Sequence, residues 1–527
     1  MHHFLPKFPA RTVLATALLS VGCLQATVAQ SFTPGNLIVA RTMYDGVAST
    51  VVVGQALPGG GTAIGDGSFT NVFTNEKPDP SFGITSSIYL DELTPSGTTI
   101  RTTAIDSSRI TSSFASKSEL ALNISTDRTS VSFMGYAAPK NTLDVSNSNT
   151  ASVFDSTNPV STTYARAIAD VNLNTGNLQV VNVNAYSGNN GRAAVLANGQ
   201  YYMVGNAGNG SGSGTQLSNL SNNTGVQRIA VGASGNTTAV GAAQGTFGSA
   251  TGYQTGFSLA QLPDPAHPGS NYAPGKTGKD NNFRGMTVFN DTLYVTKGSG
   301  SNGVNTVYQV GATSALANGG VISNAAVNVL PGFNALSEKV AETPATLTAT
   351  AHPFGLVFGD ASTLFVADEG DGVRMGVAGK VSTFNGLQEW KLNNGNWTLA
   401  HTFQQGLVGQ VSTPSGLTWQ VQQDGLRNIT GKSNADGSVT IFGTTSTVSN
   451  ELTHDQGADP NQIVSITVGS SSTAANTSFS VLQTAAAGQR FGGVAVTPVP
   501  EPESYAMLIA GLGLIGVIAR RRKRKAV

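Results

Sequence analysis

Cysteine is all but missing from this chain of 527 residues, and its one copy, Cys23, lies within the first 30. No disulfide can form inside the chain, and no cysteine-ligated metal site can assemble. Charge is scarce as well, at 11% of residues against roughly 25% in ordinary globular domains. The signatures of several enzyme classes are absent: no Gly-x-Ser-x-Gly elbow, no His-Glu-x-x-His pair and no Gly-rich phosphate loop occurs. Beyond the first 30 residues the histidines are His267, His352, His401 and His454, too widely spaced to form ligand pairs. The adjacent His454 and Asp455 offer an acid–base dipeptide, a weak signal by itself. Aromatic residues stand at 7%, with Trp390 and Trp397 close together in sequence. Exposed, that pair would make a sugar-stacking platform; packed, it would join the core.

What is abundant lies at the two ends. Lys7 and Arg11 precede an apolar stretch over 13–24, and Thr27, Val28 and Ala29 follow with small residues. Charge, apolar core and cleavage site in that order make residues 1–29 a secretory signal peptide. Cys23 falls inside it, in the order Ser20-Val21-Gly22-Cys23, without the Leu that a lipoprotein signal places three residues earlier. Two of the 29 Lys and Arg lie in the signal and six in the terminal run. Two of the 29 Asp and Glu lie in the tail, so 21 cations face 27 anions in the body, a net charge of −6. That balance excludes nucleic acid as a partner.

The other end holds three parts in order: Pro500-Glu501-Pro502, an apolar run over 505–519, and Arg520-Arg521-Arg522-Lys523-Arg524-Lys525. Six consecutive cations do not cross a bilayer, so they hold the chain end in the cytoplasm while the run before them spans. The run is short for a permanent span, which normally takes about 20 residues. The arrangement resembles the PEP-CTERM tail, in which Pro-Glu-Pro, a transmembrane helix and an arginine cluster are read as a sorting signal. The resemblance covers 499–527. It implies a protein exported from a Gram-negative bacterium and anchored in the inner membrane on the periplasmic side. An exosortase-type membrane enzyme would process it, and its destination would be the cell surface or the medium. The tail assigns no activity to residues 30–498.

Glycine, at 63 residues, combines with many Ser, Thr and Asn to favour strands and turns over helices. Residues 284–296 (RGMTVFNDTLYVT) and 354–368 (FGLVFGDASTLFVAD) share one pattern: an apolar strand, a polar turn and an alternating second strand. Weaker copies occupy 120–136, 192–205 and 426–443, and the later copies are each followed by two more strand candidates. Four strands recurring at this period predict a β-propeller. Residues 491–497 supply a first strand without a second, while 36–41, 87–91 and 98–103 supply a second, third and fourth without a first. The two ends thus complete one blade and remove two open sheet edges. The fold expected is all-β, a propeller of six four-stranded blades closed by N- and C-terminal strands, plus a C-terminal transmembrane helix. A seventh blade would have to hide in 206–278. The Gly-, Ser- and Asn-rich stretches 54–79, 208–223 and 263–280 read as surface loops.

Two candidate sites emerge. Asp368, Glu369 and Asp371 gather beside Gly370 and Gly372 at a strand end, an oxygen-rich loop of the kind that binds calcium. The spacing is not that of an EF-hand loop, and a solvated acidic turn is the plainer account. The second site is a ring. Arg192, Arg284 and Arg427 stand just before the apolar run of their first strands, and Lys117, His352 and Arg490 stand about two residues earlier in theirs. A shift of two keeps side chains on one face of a strand, so all six would surround one mouth of the central channel. In an acidic body that ring would attract an anionic ligand such as a uronate or a phosphate-bearing sugar. The plainer account pairs each arginine with a nearby carboxylate or with backbone carbonyls between blades.

Six-bladed propellers include calcium-dependent lactonases and related lyases, which hold a channel metal with Glu, Asn and Asp on inner strands. Here those positions offer Arg, Gly and Phe, with Asn282 and Asn428 as isolated exceptions. Two readings therefore stand. The favoured one is a non-catalytic exported binding or matrix protein that engages exopolysaccharide and needs no cofactor. The alternative is a metal-dependent, lactonase-like hydrolase or lyase acting on an extracellular substrate.

Overall fold

The computed structural model describes residues 31–44, 51–58, 62–63, 83–114, 116–155, 158, 160–206, 225–244, 254–273, 280–298, 302–337, 351–372, 383–449 and 456–499. The sorting motif, the apolar run over 505–519, the His454–Asp455 dipeptide and the loop 208–223 lie outside them. No helix among the described residues is long and apolar enough to cross a membrane.

Six antiparallel sheets form a six-bladed propeller. Blade 1 joins the chain ends: Gln489–Val496 is innermost, followed outward by Leu37–Met43, Thr85–Leu93 and Thr99–Ala104. Its closure pairs six residues of Leu37–Met43 with Gln489–Val496, from Leu37 opposite Val496 to Met43 opposite Gln489, with a register shift between Val39 and Arg41. Blade 2 runs Asn123–Ile124, Ser130–Tyr136, Arg166–Asn172 and Leu178–Val183. Blade 3 runs Gly191–Ala197, Gln200–Gly205, Val226–Ala230 and Thr238–Ala239. Blade 4 runs Met286–Phe289, Thr292–Lys297, Thr306–Val310 and Val327–Val329. Blade 5 runs Pro353–Asp360, Thr363–Asp368, Gly386–Asn393 and Asn396–Phe403. Blade 6 runs Val421–Ser433, Val439–Ser449, Gln462–Val468 and Ser480–Thr484, with the short Val411–Ser412 added at its inner edge. The described part of 206–278 supplies the outer strands of blade 3 and a ribbon pairing Ala243–Gln244 with Gln254–Thr255, and no further blade.

Each blade buries both faces against its neighbours, so inner strands are apolar or small on both sides rather than alternating. The hydrophobic core accordingly divides by blade interface. Ile38, Leu90, Phe133 and Val171 fill the gap between blades 1 and 2, and Met134, Ile168, Tyr201 and Met203 that between 2 and 3. Tyr202, Phe283, Val295 and Tyr308 lie between 3 and 4, and Val307, Leu330, Leu356 and Leu364 between 4 and 5. Phe365, Phe403, Ile441 and Ile466 lie between 5 and 6, and Val39, Phe491, Phe442 and Ile463 between 6 and 1. Not all of the 54–79 stretch is a loop in solvent: Leu57 and Ala63 are buried in a side cluster with Tyr44, Ile84 and Phe114.

Near the axis the inner strands approach to backbone contact. A Cβ on Gly285 would lie 2.1 Å from the Phe354 carbonyl oxygen, and one on Gly493 would lie 2.2 Å from that of Leu120. Asn428 Nδ2 donates to the Gly492 carbonyl at 2.6 Å, and Asn123 Nδ2 to that of Ala194 at 3.0 Å. These contacts link blade 4 to 5, 1 to 2, 6 to 1 and 2 to 3. Gly285, Gly355 and Gly493 serve this closeness.

Candidate anion site at the channel mouth

Inner strands deliver the cations. Arg192 is the second residue of Gly191–Ala197, Arg427 lies within Val421–Ser433, His352 directly precedes Pro353–Asp360, and Arg284 precedes Met286–Phe289 by two. What joins them is Glu369, from the end of the second strand of blade 5. Its N–H bonds the His352 carbonyl at 3.1 Å. Its Oε2 accepts Arg427 Nε at 3.3 Å, and its Oε1 lies 3.7 Å from Arg284 Nη2. Burial alone would raise this carboxyl; the charges of Arg284, Arg427, Lys117 and His352 outweigh it and hold Glu369 below the usual carboxylate range.

The cations repel one another in turn. Burial is the main influence pushing Arg192 well below its ordinary value, and neighbouring Arg284 adds to it. Arg284 is lowered by burial and then by Arg427, with Glu369 opposing. Its guanidinium stands 5.5 Å over the Phe354 ring. Arg192 Nη1 donates to Asn282 Oδ1 and, at 2.8 Å, to the Phe283 carbonyl. Its Nε is buried with no hydrogen-bond partner among the described residues, and so is Nδ1 of His352. Five of the six predicted ring members thus act on one carboxylate.

Arg490 does not join them. Its Nε donates to the Phe114 carbonyl at 3.2 Å and its Nη2 to that of Ser116, the carbonyl-capping role that the plainer account describes. Beside it lies a second acid that sequence reasoning missed. Glu119, fully buried, accepts the Tyr136 hydroxyl at 2.6 Å, Asn190 Nδ2 at 3.1 Å and the Ser113 N–H at 3.0 Å. Burial nonetheless pushes its carboxyl up to about 7. Arg166, also fully buried, donates to the carbonyls of Ser146, Ser148, Tyr164 and Asn189, a purely structural arginine.

The acidic loop separates into distinct roles. Asp368 Oδ2 accepts the His352 N–H at 2.7 Å and Gln388 Nε2 at 3.0 Å, while Oδ1 accepts the Gly370 N–H at 3.0 Å. Asp424, from blade 6, accepts the Gly372 N–H at 2.8 Å and Asn385 Nδ2 at 3.1 Å. A side chain at Gly370, where φ is 85°, would strike Asp424 Oδ2. Among the described residues no group of three or more His, Cys, Asp or Glu side chains is placed to hold a metal, and Asp368, Glu369 and Asp371 do not form one. Asp368 and Gly370 thus lie in a hydrogen-bonded turn, and Glu369 reaches from it into the arginine cluster. The tryptophans form no sugar platform either. Trp390 stacks on Phe333 with centroids 3.9 Å apart, and Trp397 packs edge-on against Phe358 between blades 4 and 5.

Residues 498–524 match the PEP-CTERM protein-sorting motif. The chain is therefore an exported, membrane-sorted bacterial protein, and the motif implies an exosortase-type processing partner. No curated protein matches the chain. Among solved structures it is similar to a candidate 6-phosphogluconolactonase of Bacteroides uniformis, at 11% identity and a TM-score of 0.36, over 86% of this chain and 83% of that one. A second candidate 6-phosphogluconolactonase, from Bacteroides fragilis, is similar at 10% identity and a TM-score of 0.33, over 87% and 97%. The lignostilbene dioxygenase of Pseudomonas brassicacearum is similar at 7% identity and a TM-score of 0.36, over 89% and 94%. At such scores none of the three bears on activity.

Proposed function

We propose that this PEP-CTERM-tailed propeller is a non-catalytic binding or matrix protein that engages the carboxylates of an acidic exopolysaccharide at one mouth of its channel. One observation carries the reading: Glu369 meets both Arg427, at 3.3 Å, and Arg284, at 3.7 Å, inside a body whose overall charge is negative. Buried like charges cost stability, and clusters of ionisable groups whose charges perturb one another mark candidate functional sites. Guanidinium groups suit the purpose because their planar forks match carboxylates. A lactonase-like metal centre would instead need carboxylate or amide oxygens converging at this mouth, where arginines stand.

The tail fits this role in a Gram-negative envelope. It would hold the propeller at the periplasmic face of the inner membrane until an exosortase-type enzyme acts, after which the propeller meets polymer at the cell surface or outside. The test is binding of the full chain, purified in detergent, to polygalacturonate and to neutral dextran over a range of NaCl concentrations. Binding to the polyuronate alone, weakening as salt rises, is expected. Equal binding to dextran, or none to either polymer, would overturn the reading.

A further inference from the structure

An acid of the chain itself already sits among the arginines. Glu369 arrives from blade 5 on a loop that turns at Gly370 and Gly372, with φ of 85° and 73°. Its contacts with Arg427 and Arg284, at 3.3 and 3.7 Å, are long; charge-assisted bonds usually close to about 2.7–2.9 Å. The carboxylate is shared between two guanidinium groups and bound closely by neither. Its side chain keeps 12% of its exposure, as does that of Arg284, while that of Arg427 keeps 4%. Donor capacity remains with Glu369 in place, since Arg192 Nε is buried without a partner among the described residues.

Resting on the binding reading above, we infer that Glu369 is an exchangeable internal counter-ion: it neutralises the arginine cluster in the unliganded protein and yields Arg284 and Arg427 to the carboxylate of an incoming polyuronate. Affinity is thereby held down, because each binding event must first part Glu369 from both arginines. Remaining in place, Glu369 would also repel the ligand's acid across a few ångströms of partly buried space.

Calorimetric titration of an oligogalacturonate into the full chain tests this with wild type, Glu369→Gln and Glu369→Asp. Glu369→Gln is expected to bind about tenfold more tightly, equivalent to about 1.4 kcal/mol. Its thermal midpoint is expected below that of wild type without ligand, and to rise further with it, because the arginines have lost their counter-ion. Glu369→Asp keeps the charge but draws it back from the arginines, and is expected to fall between the two. Unchanged or weaker binding in Glu369→Gln would overturn the inference while leaving the binding site standing. Should that variant not fold, the aspartate variant decides: tighter binding supports the exchange, and equal or weaker binding overturns it. A wild type that does not bind oligogalacturonate removes the underlying reading and the exchange with it.

Discussion

Glu369 and Arg427 meet across the boundary between blades 5 and 6, with Oε2 accepting Nε at 3.3 Å, although 58 residues separate them in sequence. The contact gathers the loop after one blade's second strand and the inner strand of the next at the same mouth. Arg284 reaches the other oxygen of the same carboxylate from blade 4. One acid thus joins three consecutive blades.

Stability should fall as pH rises from about 5 to 7.5. Burial is the largest cause pushing the carboxyls of Glu119, Asp144 and Asp424 up to about 7, from ordinary values of 4.5, 3.8 and 3.8. The folded protein holds these protons more tightly than the unfolded chain does. Their contribution is therefore complete below about pH 4 and is lost as pH climbs through 7. A single group of this kind is worth on the order of 3 kcal/mol. Glu369, held low by its arginines, loses its charge only below this window. Urea unfolding at several pH values should show the decline, and Glu119→Gln should flatten it. A wild type that gains stability from pH 5 to 7.5 would contradict the assignment.

Gly285→Ala should cost at least about 3 kcal/mol, because its methyl would lie 2.1 Å from the Phe354 carbonyl and force blades 4 and 5 apart at the axis. Gly437→Ala provides the comparison. That glycine sits in a hairpin turn at φ 82° with nothing within 4 Å, so only the backbone strain of about 1–2 kcal/mol applies. Equilibrium unfolding of the two variants should rank them in that order; a Gly285 variant as stable as the Gly437 variant would show that the inner strands have room to spare.

Blade closure was legible from sequence because it is a matter of strand inventory. A lone first strand at one end and three later strands at the other fit one blade, and the apolar runs of 491–497 and 36–41 are local signals. The approach of Arg284 and Arg427 to one carboxylate has a similar origin, since repeat position fixes height on an inner strand. Two things were not legible. Glu369 looked like a metal ligand because its sequence neighbours are acids, whereas its partners in space are cations from other blades. Arg490 shares the repeat position of the ring, yet the carbonyls of Phe114 and Ser116, in the segment entering blade 2, draw its side chain away. Sequence spacing sets where a side chain starts, and the neighbouring blade decides where it ends.

Calcium should leave the protein unaffected. Asp368 already accepts from two N–H groups and Gln388, and Glu369 is turned toward arginines. Thermal midpoints of the full chain in millimolar calcium and in EDTA are expected to coincide. A calcium-dependent rise would show that Asp371 and its neighbours rearrange around a metal, and would return the lactonase-like reading to the front.

The most direct test of the central claim is the affinity of Arg284→Gln and Arg427→Gln for an oligogalacturonate, measured beside their unfolding midpoints. Each substitution removes one of the two cations in contact with Glu369. The account predicts that affinity drops at least about tenfold in each while the midpoint holds or rises. Wild-type affinity in both variants, or a loss of binding that only tracks a loss of folding, would show that the arginines hold the blades together and bind nothing.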